Sequence, residues 1–146
     1  MINFLNHDIF YNLKGKRLYK KWIKEVVKSI SKEFEIGDIN VVFCTDNYIL
    51  EVNNQYLKHN YYTDIITFDN CDGSTLSGDL VISLETVEQN SLDYSVSFID
   101  ELNRVIIHGV LHLAGFKDET DIEIREMRIQ EEKALQLFSL IKNGSN

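Results

Sequence analysis

Residues 97–118 read SFIDELNRVIIHGVLHLAGFKD, and this segment predicts both a buried helix and a functional site. Apolar side chains recur at helical spacing from Phe98 to Leu113, which is typical of a helix that packs one face on a core. Ser97 is a good residue to cap the first helical turn, and Gly115 is a good residue to end the helix. We therefore expect a helix from about residue 98 to residue 113.

Two histidines on this predicted helix are suited to bind one metal ion. His108 and His112 are four positions apart, so their side chains project from the same helix face. Gly115 lets the chain turn back, which brings Asp118 towards the same point. Two imidazoles and a carboxylate with an open fourth position form a catalytic type of zinc site. Asp118 has an alternative role as a cap for the next turn, and such a ligand set also accepts nickel, cobalt or iron.

The same histidine spacing occurs in metzincin proteases, whose pattern is H-E-x-x-H-x-x-G-x-x-H. The glutamate after the first histidine is the general base of those enzymes, because it activates water for attack on the peptide. In this chain the corresponding residue is Gly109. A zinc-dependent metallopeptidase is therefore an alternative hypothesis, but the chain lacks the general base of such an enzyme at this position.

The remainder of the chain alternates between predicted strands and predicted helices. We expect four further helices: over residues 16–34, over residues 46–57, from about residue 84 and from about residue 120. Gly37 is expected to close the unit that contains the helix over residues 16–34. We expect strands near residues 2–4, 39–45, 64–68 and 79–83. This order predicts an α/β (α+β) fold, in which helices pack on one mixed sheet of about four strands. A chain of this length fits one domain spanning residues 1–146.

The charge of the chain is distributed unevenly. Residues 14–32 contain eight of the fifteen lysines and arginines and only one acid, Glu25, although the net charge of the whole chain is −8. A basic helix on an acidic body can hold phosphates locally while the body repels them elsewhere. The predicted RNA-binding side chains fall together on one helix face: Arg17, Lys20, Lys21, Lys24 and Lys28. The alternative is an ordinary solvated helix face.

The composition also indicates where the protein acts. The N-terminus has no basic segment followed by an apolar one, so a signal peptide is not expected. No apolar run approaches the roughly 18 residues of a membrane span. Cys44 and Cys71 have no metal-like spacing, which favours reduced thiols. We therefore expect a cytoplasmic protein with no membrane partner.

Three further segments, taken with the histidine segment, resemble one protein family. They read NNQY at residues 53–56, TDIITF at 63–68 and GDLVIS at 78–83. Together with HGVLHLAGF they resemble the YbeY family of bacterial rRNA-maturation endoribonucleases, in the order expected for that family. The resemblance covers about residues 40–133.

The resemblance implies an α/β metalloprotein with one Zn²⁺ ion bound by His108, His112 and the third position. It implies cleavage of single-stranded RNA in 16S rRNA 3′-end maturation and ribosome quality control. The partners implied are a 16S rRNA precursor and the ribosome or its small subunit. The mechanism we expect is metal-assisted hydrolysis of a phosphodiester, and the sequence leaves both water and the RNA 2′-hydroxyl as nucleophiles.

The chain departs from the family pattern at two positions. The family's usual third histidine aligns with Asp118, and oxygen is also an acceptable zinc ligand. The family's usual arginine after the tyrosine is replaced by Leu57. Lys58, or else His59, is the nearest residue that can replace the arginine, and we predict that Lys58 contacts phosphate as part of the catalytic site. A non-catalytic, ribosome-associated module with a structural zinc is a further alternative.

Overall fold

A computed structural model of the chain describes residues 1–56 and 63–144. The strands are β1 (Ile2–Asn6), β2 (Glu35–Cys44), β3 (Ile65–Asp69) and β4 (Thr75–Ser83). The helices are α1 (Lys16–Ile30), α2 (Asp46–Tyr56), α3 (Leu84–Asp93), α4 (Phe98–Leu113) and α5 (Asp121–Gly144).

The four strands form one mixed sheet in the order β1-β2-β4-β3. Strands β1, β2 and β4 are parallel, and Ile39 of β2 pairs with Ile2 of β1 on one side and Gly78 of β4 on the other. Strand β3 runs antiparallel to β4. Helical connections separate the parallel strands, whereas a short turn joins β3 to β4, as such pairings require. The predicted α+β fold with about four strands is confirmed.

The main core lies on the face of the sheet that α1, α4 and α5 cover. Strand residues that alternate along β2 and β4 point into it, such as Val41, Phe43 and Leu80, all fully buried. A smaller cluster on the opposite face packs Ile49 and Val52 of α2 against the sheet. Helix α4 contacts both β3 and β4, so its C-terminal half lies beside the edge strand β3.

Helix α4 approaches the sheet closely because it carries glycine at position 109. A Cβ atom on Gly109 would lie 2.8 Å from Ile65 Cδ1 and 2.9 Å from Leu80 Cδ2. These distances are shorter than ordinary van der Waals contacts, so a side chain at this position would displace Ile65, Leu80 or the helix itself. Gly109 therefore allows α4 to pack closely on β3 and β4.

The longest helix, α5, has 24 residues and one buried stripe. The apolar members of the stripe are Met127, Ala134, Phe138 and Ile141, and Glu131 lies among them at 5% exposure. The remaining faces of α5 are largely charged. Within the described ranges, neither α5 nor another helix is long and apolar enough to cross a membrane.

Three predicted boundaries were wrong, each for a local reason. Helix α1 ends at Ile30 and not near residue 34, because Ser31 already has extended backbone angles. Gly37 does not close a unit but lies inside β2, where a Cβ atom would be 2.1 Å from Ser77 Oγ. Strand β4 begins at Thr75, four residues before the predicted start, because a tight turn at Gly73 pairs the chain earlier.

Candidate metal centre

The two ends of α4 explain how the predicted metal-binding residues come together. Ser97 caps the helix by accepting a hydrogen bond from the backbone N–H of Asp100. At the other end Gly115 has φ 102°, a left-handed conformation that ends the helix. The backbone N–H of Phe116 then donates to the carbonyl of Leu111. The chain turns back at this point and brings Asp118 to the histidine face of α4.

Three ligand atoms form a nearly equilateral triangle. The Nε2 atoms of His108 and His112 are 3.0 Å apart, and Asp118 Oδ2 lies 3.2 and 3.3 Å from them. Tetrahedral zinc with bonds of about 2.0–2.1 Å separates its ligand atoms by roughly 3.3–3.4 Å. Both the donor atoms and their spacing therefore fit a zinc ion, and the three side chains leave a fourth position open.

The other nitrogen of each imidazole is already hydrogen bonded. His112 Nδ1 is 2.9 Å from the carbonyl oxygen of Phe116, which can only accept, so Nδ1 carries the proton. His108 Nδ1 is 2.6 Å from Oε2 of the buried Glu131 and donates to it. In both rings the lone pair consequently lies on Nε2, which faces the triangle. Such partners orient metal-bound histidines and increase their basicity.

The electrostatics of the centre favour a cation. Burial alone lowers the pKa of His108, but the hydrogen bond to Glu131, its negative charge and the charge of Asp118 outweigh burial, so the pKa is raised. The site thus attracts positive charge, as a proton at low pH or as a metal ion when the imidazole is neutral.

The triangle lies in an open cleft of about 610 Å³. Its walls include Asn53 of α2 and the side chains of β3 that point towards α4. Within the part of the chain that the structure describes, the lining includes four carboxylates (Asp64, Asp69, Asp118 and Glu119) and no lysine or arginine. Burial raises the pKa of Asp64, against the opposing effect of Arg104. The described walls of the cleft are therefore unfavourable to a phosphate.

The predicted RNA-binding residues lie on α1 and do not line this cleft. Arg17, Lys21 and Lys24 are exposed and Lys20 is partly buried. Lys28 differs from them, because its Nζ donates to the carbonyl of Phe34 at 2.6 Å. The predicted contact residue Lys58, its alternative His59 and the departure at Leu57 all lie outside the described residues.

Sequence reasoning missed Glu131. Its signal was present, since a single acid occupies the apolar stripe of α5, four residues after Met127 and three before Ala134. A charged residue on the buried face of a helix requires a partner, because an isolated buried charge is strongly destabilising. The partner, His108, is distant in sequence, so periodicity alone could not identify it.

The close packing at Gly109 also bears on the peptidase alternative. In the metzincin pattern this position carries the general base, but here its Cβ direction points at Ile65 and Leu80 of the sheet and not at the ligand triangle. A glutamate at this position would have to displace these side chains or the helix. The geometry therefore gives no support to a conventional peptidase mechanism.

Two histidines and a carboxylate in an open cleft of an α+β fold form a cluster that is compatible with the class of catalytic, incompletely coordinated metal sites. Comparison with known proteins identifies the family within this class. The family model described as Endoribonuclease YbeY matches residues 4–139. The chain belongs to the YbeY endoribonuclease family, and the predicted resemblance is confirmed.

Individual relatives match over most of their length. Endoribonuclease YbeY of Porphyromonas gingivalis is 47% identical over 94% of this chain and 89% of its own. Endoribonuclease YbeY of Flavobacterium psychrophilum is 43% identical over 98% of this chain and 100% of its own. The solution structure of TM1509 from Thermotoga maritima is similar with a TM-score of 0.67 and 29% identity, over 99% of this chain and 93% of the other.

Proposed function

We propose that this chain is a zinc-dependent endoribonuclease that cleaves single-stranded RNA in 16S rRNA 3′-end maturation and ribosome quality control. One observation carries the proposal: in a member of an endoribonuclease family, His108, His112 and Asp118 place three ligand atoms 3.0–3.3 Å apart in an open cleft. The proposed partners are a 16S rRNA precursor and the ribosome or its small subunit, and the proposed location is the cytoplasm.

The residues present fit zinc by both donor type and spacing. When bound, the ion supplies Lewis acidity for phosphodiester hydrolysis. The two imidazoles are neutral ligands, so Asp118 is the one ligand that brings a negative charge. A divalent ion held in this way keeps one uncompensated positive charge, which can attract a phosphate.

The walls of the cleft control where a phosphate binds. Asp64, Asp69 and Glu119 repel a phosphodiester from the rest of the cleft, so the scissile group is favoured only beside the ligand triangle. The same carboxylates line the cleft and can accept a proton from an attacking water or 2′-hydroxyl. Lys58 is proposed to contact the phosphate, since its charge complements the described walls.

The basic face of α1 is proposed to bind RNA phosphates away from the cleaved bond. Arg17, Lys20, Lys21 and Lys24 form no ion pair within the described residues, so their charge is available to a ligand. Each phosphate contact with single-stranded RNA changes the slope of log affinity against log salt by about −0.7. The metal centre then supplies cleavage, and α1 supplies much of the affinity.

The test of this function is cleavage of an unpaired RNA oligonucleotide that carries the 3′ junction of 16S rRNA. We expect cleavage by the zinc-loaded protein, loss of cleavage with a chelator and restoration with zinc. His112→Ala should abolish cleavage, whereas His7→Ala is the matched control, because His7 is exposed and packs on Tyr48 outside the cleft.

The other hypotheses give different results in the same experiment. A binding module would retain salt-sensitive RNA binding without any cleavage, both in the wild type and in His112→Ala. A peptidase would cleave an unfolded protein such as casein and leave the RNA intact. Either result, obtained with zinc-loaded protein, would overturn the proposed endoribonuclease function.

A further inference from the structure

Arg104 lies one helical turn before His108 on α4, and its guanidinium faces three carboxylates. Its Nε donates to Glu101 Oε1 at 2.9 Å, and its Nη2 donates to the second oxygen of the same carboxylate. Nη1 lies 3.4 Å from Glu131 Oε1, and Nη2 lies 3.8 Å from Asp64 Oδ2. The arginine therefore connects α4 to α5 and to the residue that precedes β3.

The buried negative charges of Glu101 and Glu131 are stabilised mainly by the guanidinium of Arg104. The side chains of Glu101 and Glu131 are only 2% and 6% exposed, so water contributes little to stabilising their charges. Within the described ranges, no other lysine or arginine pairs with either of them. A buried carboxylate that loses its cationic partner is left as an uncompensated charge, so its side chain is no longer held in place and moves towards another donor.

The two oxygens of Glu131 have different partners. Oε1 faces Arg104 Nη1, and Oε2 accepts the hydrogen bond from His108 Nδ1 at 2.6 Å. The position of Oε2, and through it the ring of His108, thus depends on what holds Oε1. Asp64 is held in a similar way, because its Oδ2 lies between Arg104 and Asn90 Nδ2, which is 3.4 Å away.

We propose that Arg104 is a positioning residue of the metal centre, which holds Glu131 in the orientation that aligns His108 for metal binding. The same guanidinium fixes Asp64 on the cleft wall. Arg104 is not one of the three candidate ligands, so it acts on the metal centre through these two carboxylates. The inference rests on the proposed metal site and extends it to a residue outside the ligand set.

A purely structural role is the competing explanation, and it predicts a different result. The bidentate pair between Arg104 and Glu101 lies within α4 and could simply stabilise the helix. In that case a substitution of Arg104 would lower the melting temperature, and the zinc affinity of the folded protein would stay unchanged. A positioning role changes the zinc affinity, and it does so only while Glu131 is present.

The experiment is a double-mutant cycle with zinc affinity as the readout. Arg104→Met, Glu131→Gln and the double variant are titrated with zinc against a chromogenic chelator, and the absorption spectrum of each cobalt-loaded protein is recorded. Partners of metal-bound histidines contribute about 10–100-fold to affinity, so we expect Arg104→Met to lose roughly 10-fold. The double variant should lose little more than Glu131→Gln, since both changes act through one contact.

Two further variants separate charge from geometry. Arg104→Lys keeps the charge but not the planar fork, so we expect it to recover part of the lost affinity. Arg125→Met is the matched control, because Arg125 is exposed on α5 and its substitution changes the net charge equally. The control should keep wild-type zinc affinity. If Arg104→Met does not fold, the cycle is run with Arg104→Lys, for which a smaller loss with the same coupling is expected.

Wild-type zinc affinity in folded Arg104→Met, or losses that multiply in the double variant, would overturn the positioning role. The outcome can be distinguished from a failure of the proposed function. Coupled zinc affinities in a protein that does not cleave RNA would count against the endoribonuclease and leave the role of Arg104 standing. If the protein cleaves RNA but the effects of the Arg104 and Glu131 substitutions on zinc affinity are independent, the endoribonuclease function stands and the positioning role of Arg104 is overturned.

Discussion

Replacement of Asp118 by alanine tests the three-ligand site most directly. Apparent zinc binding energies of about 10–16 kcal/mol for four-ligand sites correspond to roughly 2.5–4 kcal/mol per ligand. At about 1.4 kcal/mol per factor of ten, loss of Asp118 should weaken zinc binding by roughly 10²–10³-fold. The Asp118 side chain is 39% exposed, so the metal-free fold should change by no more than about 0.5 kcal/mol.

Thermal unfolding with and without zinc measures this difference. Free zinc at about 100 times the dissociation constant stabilises a protein by about 2.7 kcal/mol. For a chain of this size, that energy raises the melting temperature by roughly 5–11 °C. The same zinc concentration is at or below the weakened dissociation constant of Asp118→Ala, so the stabilisation falls to about 0.4 kcal/mol or less, and the shift to about 1–2 °C.

Glu119→Ala is the matched control for this prediction. Glu119 is the adjacent carboxylate and lines the same cleft, but it is not part of the ligand triangle. Its removal should leave the zinc-induced shift close to that of the wild type. An undiminished shift in Asp118→Ala would refute the reasoning and leave Asp118 as a residue of the turn that follows α4.

Three other perturbations follow from the structure. Gly109→Ala should destabilise the fold by about 1–3 kcal/mol, because its Cβ would lie 2.8 Å from a side chain of the sheet, and thermal melting measures this. The raised pKa of His108 stabilises the metal-free protein at low pH and competes with zinc, so the zinc-induced shift in melting temperature should grow as pH rises from about 6 to 8. Lys21→Gln should make the salt slope of RNA binding shallower by about 0.7. Lys28→Gln should leave the slope unchanged, because its Nζ is already bonded to a backbone carbonyl.

The sequence predicted that the three candidate ligands lie together, because they fall within eleven residues of the chain. A helix fixes the relation between His108 and His112, and a left-handed Gly115 fixes the turn that returns Asp118. Both rules are local, so no knowledge of the sheet was needed. The mixed sheet was predictable for a related reason, since apolar strands and amphipathic helices alternate along the chain.

The boundaries and the support of the site were not predictable in this way. Gly37 was interpreted as the end of the unit that contains the first helix, but the close approach of Ser77 from the neighbouring strand requires a glycine there. The contacts of Glu131 with His108 and Arg104 join residues 23 and 27 positions apart. Such contacts depend on how α4 and α5 pack, which helical periodicity does not determine.

The separation of the basic face from the cleft explains how an acidic protein can act on RNA. With a net charge of −8, the body repels nucleic acid, and the described walls of the cleft add carboxylates at the site of cleavage. Exposed charges are screened beyond about 8–10 Å at physiological salt, so α1 can attract RNA without neutralising the cleft. The positive charge of an ion on the proposed ligand triangle would offset these carboxylates. We therefore expect removal of the metal to weaken entry of a phosphate into the cleft as well as its cleavage.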